Sequence, residues 1–153
     1  MEHMIFEMRK IETADIPFLR DMLYESAYVP EGQEPFPISI LDEPSVSKFI
    51  DGWGERCGDI GLIAEIDDQS IGAIWLRLFE ETPEIGIAIC KEFRGNGVGN
   101  ALMHALETEA KDNGYRNLFL SVDPRNPAVR LYERVGYVQV GWEDSFWRME
   151  KRL

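Results

Sequence analysis

The chain is short of the residues from which most metal and redox sites are built. It holds two histidines, His3 and His104, and two cysteines, Cys57 and Cys90, in 153 residues. Neither histidine has a ligand-spaced neighbour, so neither a metal site nor a histidine-based triad is expected. Two cysteines at this separation make no disulfide framework. Cys90, at the end of an apolar run, reads as a buried, inert thiol. Basic residues are also scarce: 16 Lys and Arg face 28 Asp and Glu, a formal net charge of −12. Nucleic acid is therefore not an expected partner, because binding its backbone relies on Lys and Arg neutralising phosphates. The acidic balance suits solubility and is compatible with a cationic substrate. No apolar run approaches the ~18 residues that span a bilayer, so no membrane partner is expected. The opening MEHMIFEMRK lacks the basic-then-apolar layout of a secretory signal, so a cytoplasmic address is expected. Repeats, low-complexity tracts and linkers are absent too, and this length suits one domain over residues 1–153.

What is present is periodicity. Met4 to Ile11 alternates like a first strand, and Thr13 stands as an N-cap before Ile16, Leu19, Leu23 and Ala27 at helical spacing. PEGQEPFP, Pro30 to Pro37, is a breaker-rich loop. A short helix is expected from about Asp42, with Val46, Phe49, Ile50 and Trp53 inward. Ile60 to Ile66 and Ile71 to Phe79 read as a hairpin around Asp67-Asp68-Gln69-Ser70. Ile85 to Ile89 is the next strand. A helix whose apolar face is Val98, Ala101, Leu102, Ala105 and Leu106 runs to about Asn113, with Gly114 as its stop. Leu118 to Val122 is a strand, and Asn126-Pro127 opens a last helix. Its inner face is Ala128, Leu131, Tyr132 and Val135. Val138 to Val140 and Phe146 to Glu150 are closing strands. The mixed order implies an α+β fold in α/β/α layers, with a mostly antiparallel sheet of about seven strands and about four helices.

The most informative stretch joins Ile85–Ile89 to the long helix: Arg94-Gly95-Asn96-Gly97-Val98-Gly99-Asn100. At a helix start the backbone N–H groups lack intrahelical partners, and the helix dipole adds partial positive charge. Glycines let a bulky anion approach those amides, so the stretch can hold a phosphate or pyrophosphate with few basic side chains. Capping a helix would need only one glycine. A dinucleotide-binding oxidoreductase is one reading, because Asp123 ends the following strand where a ribose-binding acid would stand. Three features oppose it. Asn100 occupies the place of the fingerprint's third glycine, the unit begins past the chain midpoint, and only one further helix follows.

R-G-N-G-V-G fits the Arg/Gln-x-x-Gly-x-Gly/Ala pattern of the GNAT N-acetyltransferase superfamily. The later Asn126…Leu131-Tyr132-Glu133…Gly136-Tyr137 resembles that family's N-x-x-A-x-x-L-Y-E-x-x-G-F block. Alanine comes one residue early, at Ala128, and Tyr137 replaces phenylalanine. The resemblance covers about a third of the chain, and it implies acetyl-CoA as acetyl donor, with no metal. The diphosphate would lie on amides from Arg94, Gly95, Asn96, Gly97, Val98, Gly99 and Asn100. The pantetheine arm would pair with the backbone of Ile87, Ala88 and Ile89, and Asn126 would contact the cofactor. Plain sheet core for the three strand residues, and an N-cap for Asn126, are the alternatives.

The implied reaction is attack of a primary amine on the thioester. A lysine-like amine with pKa ~10.4 costs about 4–5 kcal/mol to present neutral near pH 7, which a general base offsets. Glu84, just before the cofactor strand, is the leading candidate, with Glu80 and Glu81 as substitutes; acids on a solvated turn would look the same. A glutamate that some members use on the next strand falls here at Ser121, which cannot act as that base. Tyr132 matches the family's proton donor to the departing thiolate; core packing is its alternative. A non-catalytic acyl-CoA sensor on the same fold would carry the same cofactor motifs. The acceptor, a small-molecule or peptide amine, would lie between Pro30–Leu41 and the Trp142–Trp147 region, where Phe36, Glu143, Asp144 and Trp147 stand. Similar proteins are commonly dimers, so a homodimer is possible.

Overall fold

A computed structural model describes residues 5–153. Among them are seven strands and four α-helices in the order β1 (Glu7–Lys10), α1 (Ile16–Ser26), α2 (Pro44–Ser47), β2 (Ile60–Ile66), β3 (Gln69–Leu78), β4 (Pro83–Ile89), α3 (Val98–Asp112), β5 (Asn117–Val122), α4 (Val129–Arg134), β6 (Val138–Glu143) and β7 (Phe146–Arg152). Met4, the expected start of the first strand, lies outside the described residues. One sheet runs β1-β2-β3-β4-β5-β7-β6. Every neighbouring pair is antiparallel except β4 and β5. The α+β, mostly antiparallel architecture expected from the element order is the one observed.

Period-two alternation along the central strands gives each face its own core. Ile74, Leu76 and Ile85 pack on one face with Val98, Leu102, Met103, Leu106 and Ala110 of α3 and with Val129, Tyr132 and Val135. Ile63, Ala73, Trp75 and Ala88 pack on the other with Leu19, Met22 and Leu23 of α1 and with Ile50 and Trp53. The three α/β/α layers follow.

Several boundaries differ from the sequence expectation for local reasons. Thr13 does not cap α1. It opens a 3-10 turn, Thr13–Asp15, closed by a reciprocal Glu12–Asp15 capping box, and α1 starts at Ile16 with Pro17 in its first turn. The β2–β3 hairpin turns on two residues, not four, because Asp67 and Asp68 both take positive φ (48° and 66°). Such a pair matches the twist of adjoining strands, and aspartate tolerates it. β4 begins at Pro83, which pairs with Leu78; proline is accommodated at a strand's first residue. Glu84 therefore lies inside the strand rather than on a solvated turn.

Both C-terminal helix stops are Schellman closures. Gly114 (φ 87°) lets the Tyr115 N–H reach the Ala110 carbonyl at 3.0 Å. Gly136 (φ 105°) lets the Tyr137 N–H reach the Tyr132 carbonyl at 2.9 Å. The second closure fixes the backbone of Tyr132 to the strand that follows it.

Candidate active site

β4 and β5 share one register pair, Glu84 with Phe119. Past it the strands diverge and the sheet opens. The Cys90 N–H still reaches the Ile71 carbonyl at 2.7 Å. By the alternation of an antiparallel ladder, Ala88 and Gly86 therefore turn their hydrogen-bonding groups toward β3, and Ile87 and Ile89 turn theirs into the opening. The side chains alternate as well. Ile85, Ile87 and Ile89 face α3, whereas Glu84 and Ala88 face α1.

The opening continues into a cleft of about 710 Å³. Its floor is Ile87, Ala88 and Ile89 of β4. One wall is the turn Arg94, Gly95, Gly97, Val98, Gly99 and Asn100, and the other carries Asn126, Leu131 and Tyr132. Residues distant in the chain are thus gathered here, with two qualifications. Asn96 does not line the cleft: its side-chain amide donates back to the carbonyls of Phe93 and Arg94 at 3.3 and 3.2 Å. Ala88 lines it, but its pairing groups are turned to β3.

The glycines of the turn do different jobs. Gly95 (φ 78°) and Gly97 (φ 81°) take left-handed backbone, costly for a residue with a Cβ. Gly99 has ordinary helical backbone, but a Cβ there would sit 3.1 Å from Leu131 Cδ2, so it lets α3 and α4 approach. No side chain caps α3. Its first intrahelical bond runs from the Ala101 N–H to the Gly97 carbonyl at 3.1 Å. The amides of Val98, Gly99 and Asn100 meet no acceptor among the described residues. Unpaired amides at a helix N-terminus suit an anion. Arg94 reaches away from it: its Nε donates to the Ile89 carbonyl at 2.9 Å and its guanidinium pairs with Glu25 at 3.4 Å.

The Asn126 Oδ1 accepts from the Ala128 N–H at 2.9 Å. This Asx turn stands one turn ahead of α4, and it leaves the side-chain NH2 free to donate. Tyr132 is buried, and its hydroxyl forms no hydrogen bond among the described residues. Burial pushes its pKa up to about 12, so the phenol stays protonated through the physiological range.

Glu84 stands at the other end of β4, in a second cleft of about 440 Å³ shared with Lys48, Phe79, Phe119 and Arg148. It is 8% exposed and forms no ion pair among the described residues, with the Ser121 hydroxyl nearby. Burial is the main cause that raises its pKa, reinforced by Glu143; Lys48, the Ser121 hydroxyl and Arg148 oppose the rise. Glu80 and Glu81 line the same cleft but are exposed. Ser121 donates to Glu143 at 3.1 Å. Asp123 is bound by the Arg125 guanidinium at 2.7 Å, which holds its carboxyl below the usual range. It therefore spends its charge on a neighbour.

Cys90 is half-buried rather than buried, and burial raises its thiol pKa. His104 is exposed on α3, His3 lies outside the described residues, and no metal-holding group of three or more His, Cys, Asp or Glu occurs among those described. Sequence reasoning missed Arg77, fully buried on β3. It is bound to Asp59 at 2.9 and 2.7 Å and to the carbonyls of Lys48 and Asp51. These bonds tie the segment that carries Lys48 to the sheet beside Glu84. A lone arginine within an apolar strand was the only signal.

A seven-stranded sheet opened between its two parallel strands, with an amide-lined turn at the opening, defines the N-acyltransferase class of fold. The chain belongs to the Acetyltransferase (GNAT) family, whose profile matches residues 16–137. A ribosomal protein bS18 alanine N-acetyltransferase of Haemophilus influenzae is 33% identical over 95 residues, 61% of this chain and 64% of that protein. The match thus spans less than two thirds of that relative's length. Among solved structures, the PaiA N-acetyltransferase of Thermoplasma acidophilum in complex with coenzyme A superposes with a TM-score of 0.78 at 22% identity, covering 98% of this chain and 100% of that one. The ribosomal-protein-S18-alanine N-acetyltransferase of Escherichia coli superposes with a TM-score of 0.71 at 18% identity, over 97% and 94% of the two chains. At these identities the superpositions speak for the fold.

Proposed function

We propose that this protein transfers the acetyl group of acetyl-CoA to a primary amine by direct attack. The observation that carries the reading is the opened β4–β5 edge ending in unpaired amides at Val98, Gly99 and Asn100, with Tyr132 in the same cleft. An elongated thioester with a diphosphate fits such a channel. The amides and the turn from Arg94 to Asn100 would bind the diphosphate, Ile87 and Ile89 would offer backbone groups to the pantetheine amides, and the Asn126 side-chain NH2 would donate.

In this reading the reacting centre lies in the opening between β4 and β5, approached by Glu84 from one face of the sheet and by Tyr132 from the other. Glu84 takes the proton from the acceptor ammonium, directly or through water. The freed amine bonds to the thioester carbonyl carbon, the carbon–sulfur bond breaks, and the sulfur leaves with the electron pair. With the phenol near pKa 12 and a thiol near ~8.5, full proton transfer from Tyr132 to the thiolate is uphill by roughly 5 kcal/mol. Tyr132 therefore acts by hydrogen bonding to the developing charge, and the proton follows from water.

The acceptor is a small-molecule or peptide amine; the Haemophilus relative is named for an alanine amine of a ribosomal protein. We also place the protein in the cytoplasm, which its two unpaired cysteines suit, and infer a homodimer. The exposed Val138, Val140 and Trp142 of edge strand β6 support the dimer. No helix among the described residues is long and apolar enough to cross a membrane. Release of the CoA thiol from acetyl-CoA across an amine panel tests the reading. Saturable CoA binding with no turnover of any amine would instead favour an acyl-CoA sensor.

A further inference from the structure

The second cleft is lined by more charge than its own partners neutralise. Glu143 and Arg148 satisfy each other at 3.1 Å, and Arg148 also pairs with Glu150 and stacks 3.6 Å from the Phe119 ring centroid. Lys48 sits over the rings of Phe79 and Phe49, at 4.5 and 5.3 Å, with no carboxylate in ion-pair range among the described residues. Glu80, Glu81 and Glu84 form no ion pair among the described residues, and Glu84 is more than nine-tenths buried and lines the cleft. Four carboxylates against two cations leave an excess of two negative charges in this cleft.

We propose that this cleft selects an aliphatic amine that carries a second positive charge, held by Glu80 and Glu81 at the rim while the first nitrogen meets Glu84. The proposal rests on the transferase reading for the fate of that first nitrogen. Its charge arithmetic is local. When Glu84 accepts a proton from the reacting ammonium, one unmatched negative charge remains, and one further cation on the acceptor matches it. A neutral tail leaves that charge unmatched. An acidic tail adds to it, and Lys48, already stacked on two rings, is the one group that opposes this preference. The rings of Phe79 and Phe119 also line the cleft and give its wall an apolar part for the methylene chain between the two nitrogens.

The test uses three chains that differ at one end: cadaverine, its neutral-tailed counterpart n-hexylamine, and the acid-tailed aminocaproate. Their binding to the protein–CoA complex is measured by calorimetry, and release of the CoA thiol from acetyl-CoA is followed separately. Cadaverine is expected to bind at least tenfold more tightly than n-hexylamine, with aminocaproate weakest. The double variant Glu80→Gln, Glu81→Gln, made at exposed positions, should shrink the cadaverine to n-hexylamine ratio severalfold. Equal binding of the first two, tightest binding of aminocaproate, or a ratio unmoved in the double variant would overturn the proposal. If cadaverine binds in the expected order but no thiol is released with it or with any amine of the panel, the transferase reading fails and the charge-selective cleft stands. If thiol is released equally well with all three, the transferase stands and the selectivity fails.

Discussion

The two clefts meet opposite ends of β4 and are made of opposite materials. The larger is a main-chain site. Its proposed anion cradle is three amides at the start of α3, its floor is the β4 edge of Ile87 and Ile89, and Arg94 beside the cradle is engaged with the Ile89 carbonyl and Glu25. The smaller is a side-chain site, crowded with carboxylates, two cations and aromatic rings. A backbone site is specified by glycines at fixed offsets and by where a sheet stops pairing, so it tolerates change in most side chains. A side-chain site depends on single residues, so it varies freely with the substrate. On the proposed reading, the main-chain cleft would hold the shared acetyl donor and the side-chain cleft would meet the acceptor.

The strongest break in that contrast is Glu84→Gln. It should lower kcat/KM by about 10²–10⁴-fold, the range of a lost general base, with little change in CoA affinity. The pH dependence has a defined sign. Burial raises the folded pKa of Glu84, so its base form is lost as pH falls through a value above the ordinary glutamate ~4.3, and the acidic limb of the wild-type rate profile should lie there. Stability runs the other way. Because the folded state holds this proton more tightly, the favourable contribution of Glu84 is present below the unfolded pKa and lost as pH rises through the folded one. The glutamine variant should therefore melt higher than wild type at neutral pH while being nearly inactive, which calorimetry and a rate assay check together.

Tyr132→Phe removes one hydrogen bond to a developing charge, worth about 1.5–3 kcal/mol, or roughly 10–150-fold in kcat. The dissociation constant of CoA should hold. With the phenol at about 12, wild type should show no basic limb assignable to this residue below that range.

Gly97→Ala forces a Cβ into left-handed backbone, a cost of about 1–2 kcal/mol, and should lower both the melting temperature and CoA affinity. Gly99→Ala meets only the end of the Leu131 side chain. Its effect should be smaller and should be relieved by Leu131→Ala, a rescue Gly97→Ala cannot share. The smallest effect is expected for Asn126→Ala, which loses one turn bond to Ala128 worth about 1 kcal/mol and a few-fold in CoA affinity by titration.

These two regions also differ in how far the sequence reveals them. The glycine turn, the apolar face of α3 and the Asn126…Tyr132 spacing are local patterns, and the cleft they build was legible before any coordinates. The qualifications there are also local. The Asn96 side chain folds back on its own turn, which leaves its backbone amide to the proposed site, and Ala88 has its pairing groups committed to β3, because alternation halves the residues a strand edge can offer. The second cleft draws Lys48, Glu84, Phe119 and Arg148 from four separate segments, and no pattern in the chain announces that meeting. Glu84 was noticed for its place before the cofactor strand, but its burial depends on β4 starting at Pro83. Arg77 illustrates the same limit, since its partner Asp59 is 18 residues away and on another segment.

The most direct test of the central claim is a crystal structure of the protein with CoA. The account predicts the diphosphate on the amides of Val98, Gly99 and Asn100 and the pantetheine arm alongside Ile87 and Ile89 in the β4–β5 opening. A diphosphate bound elsewhere, or an arm that leaves that strand edge unpaired, would contradict it.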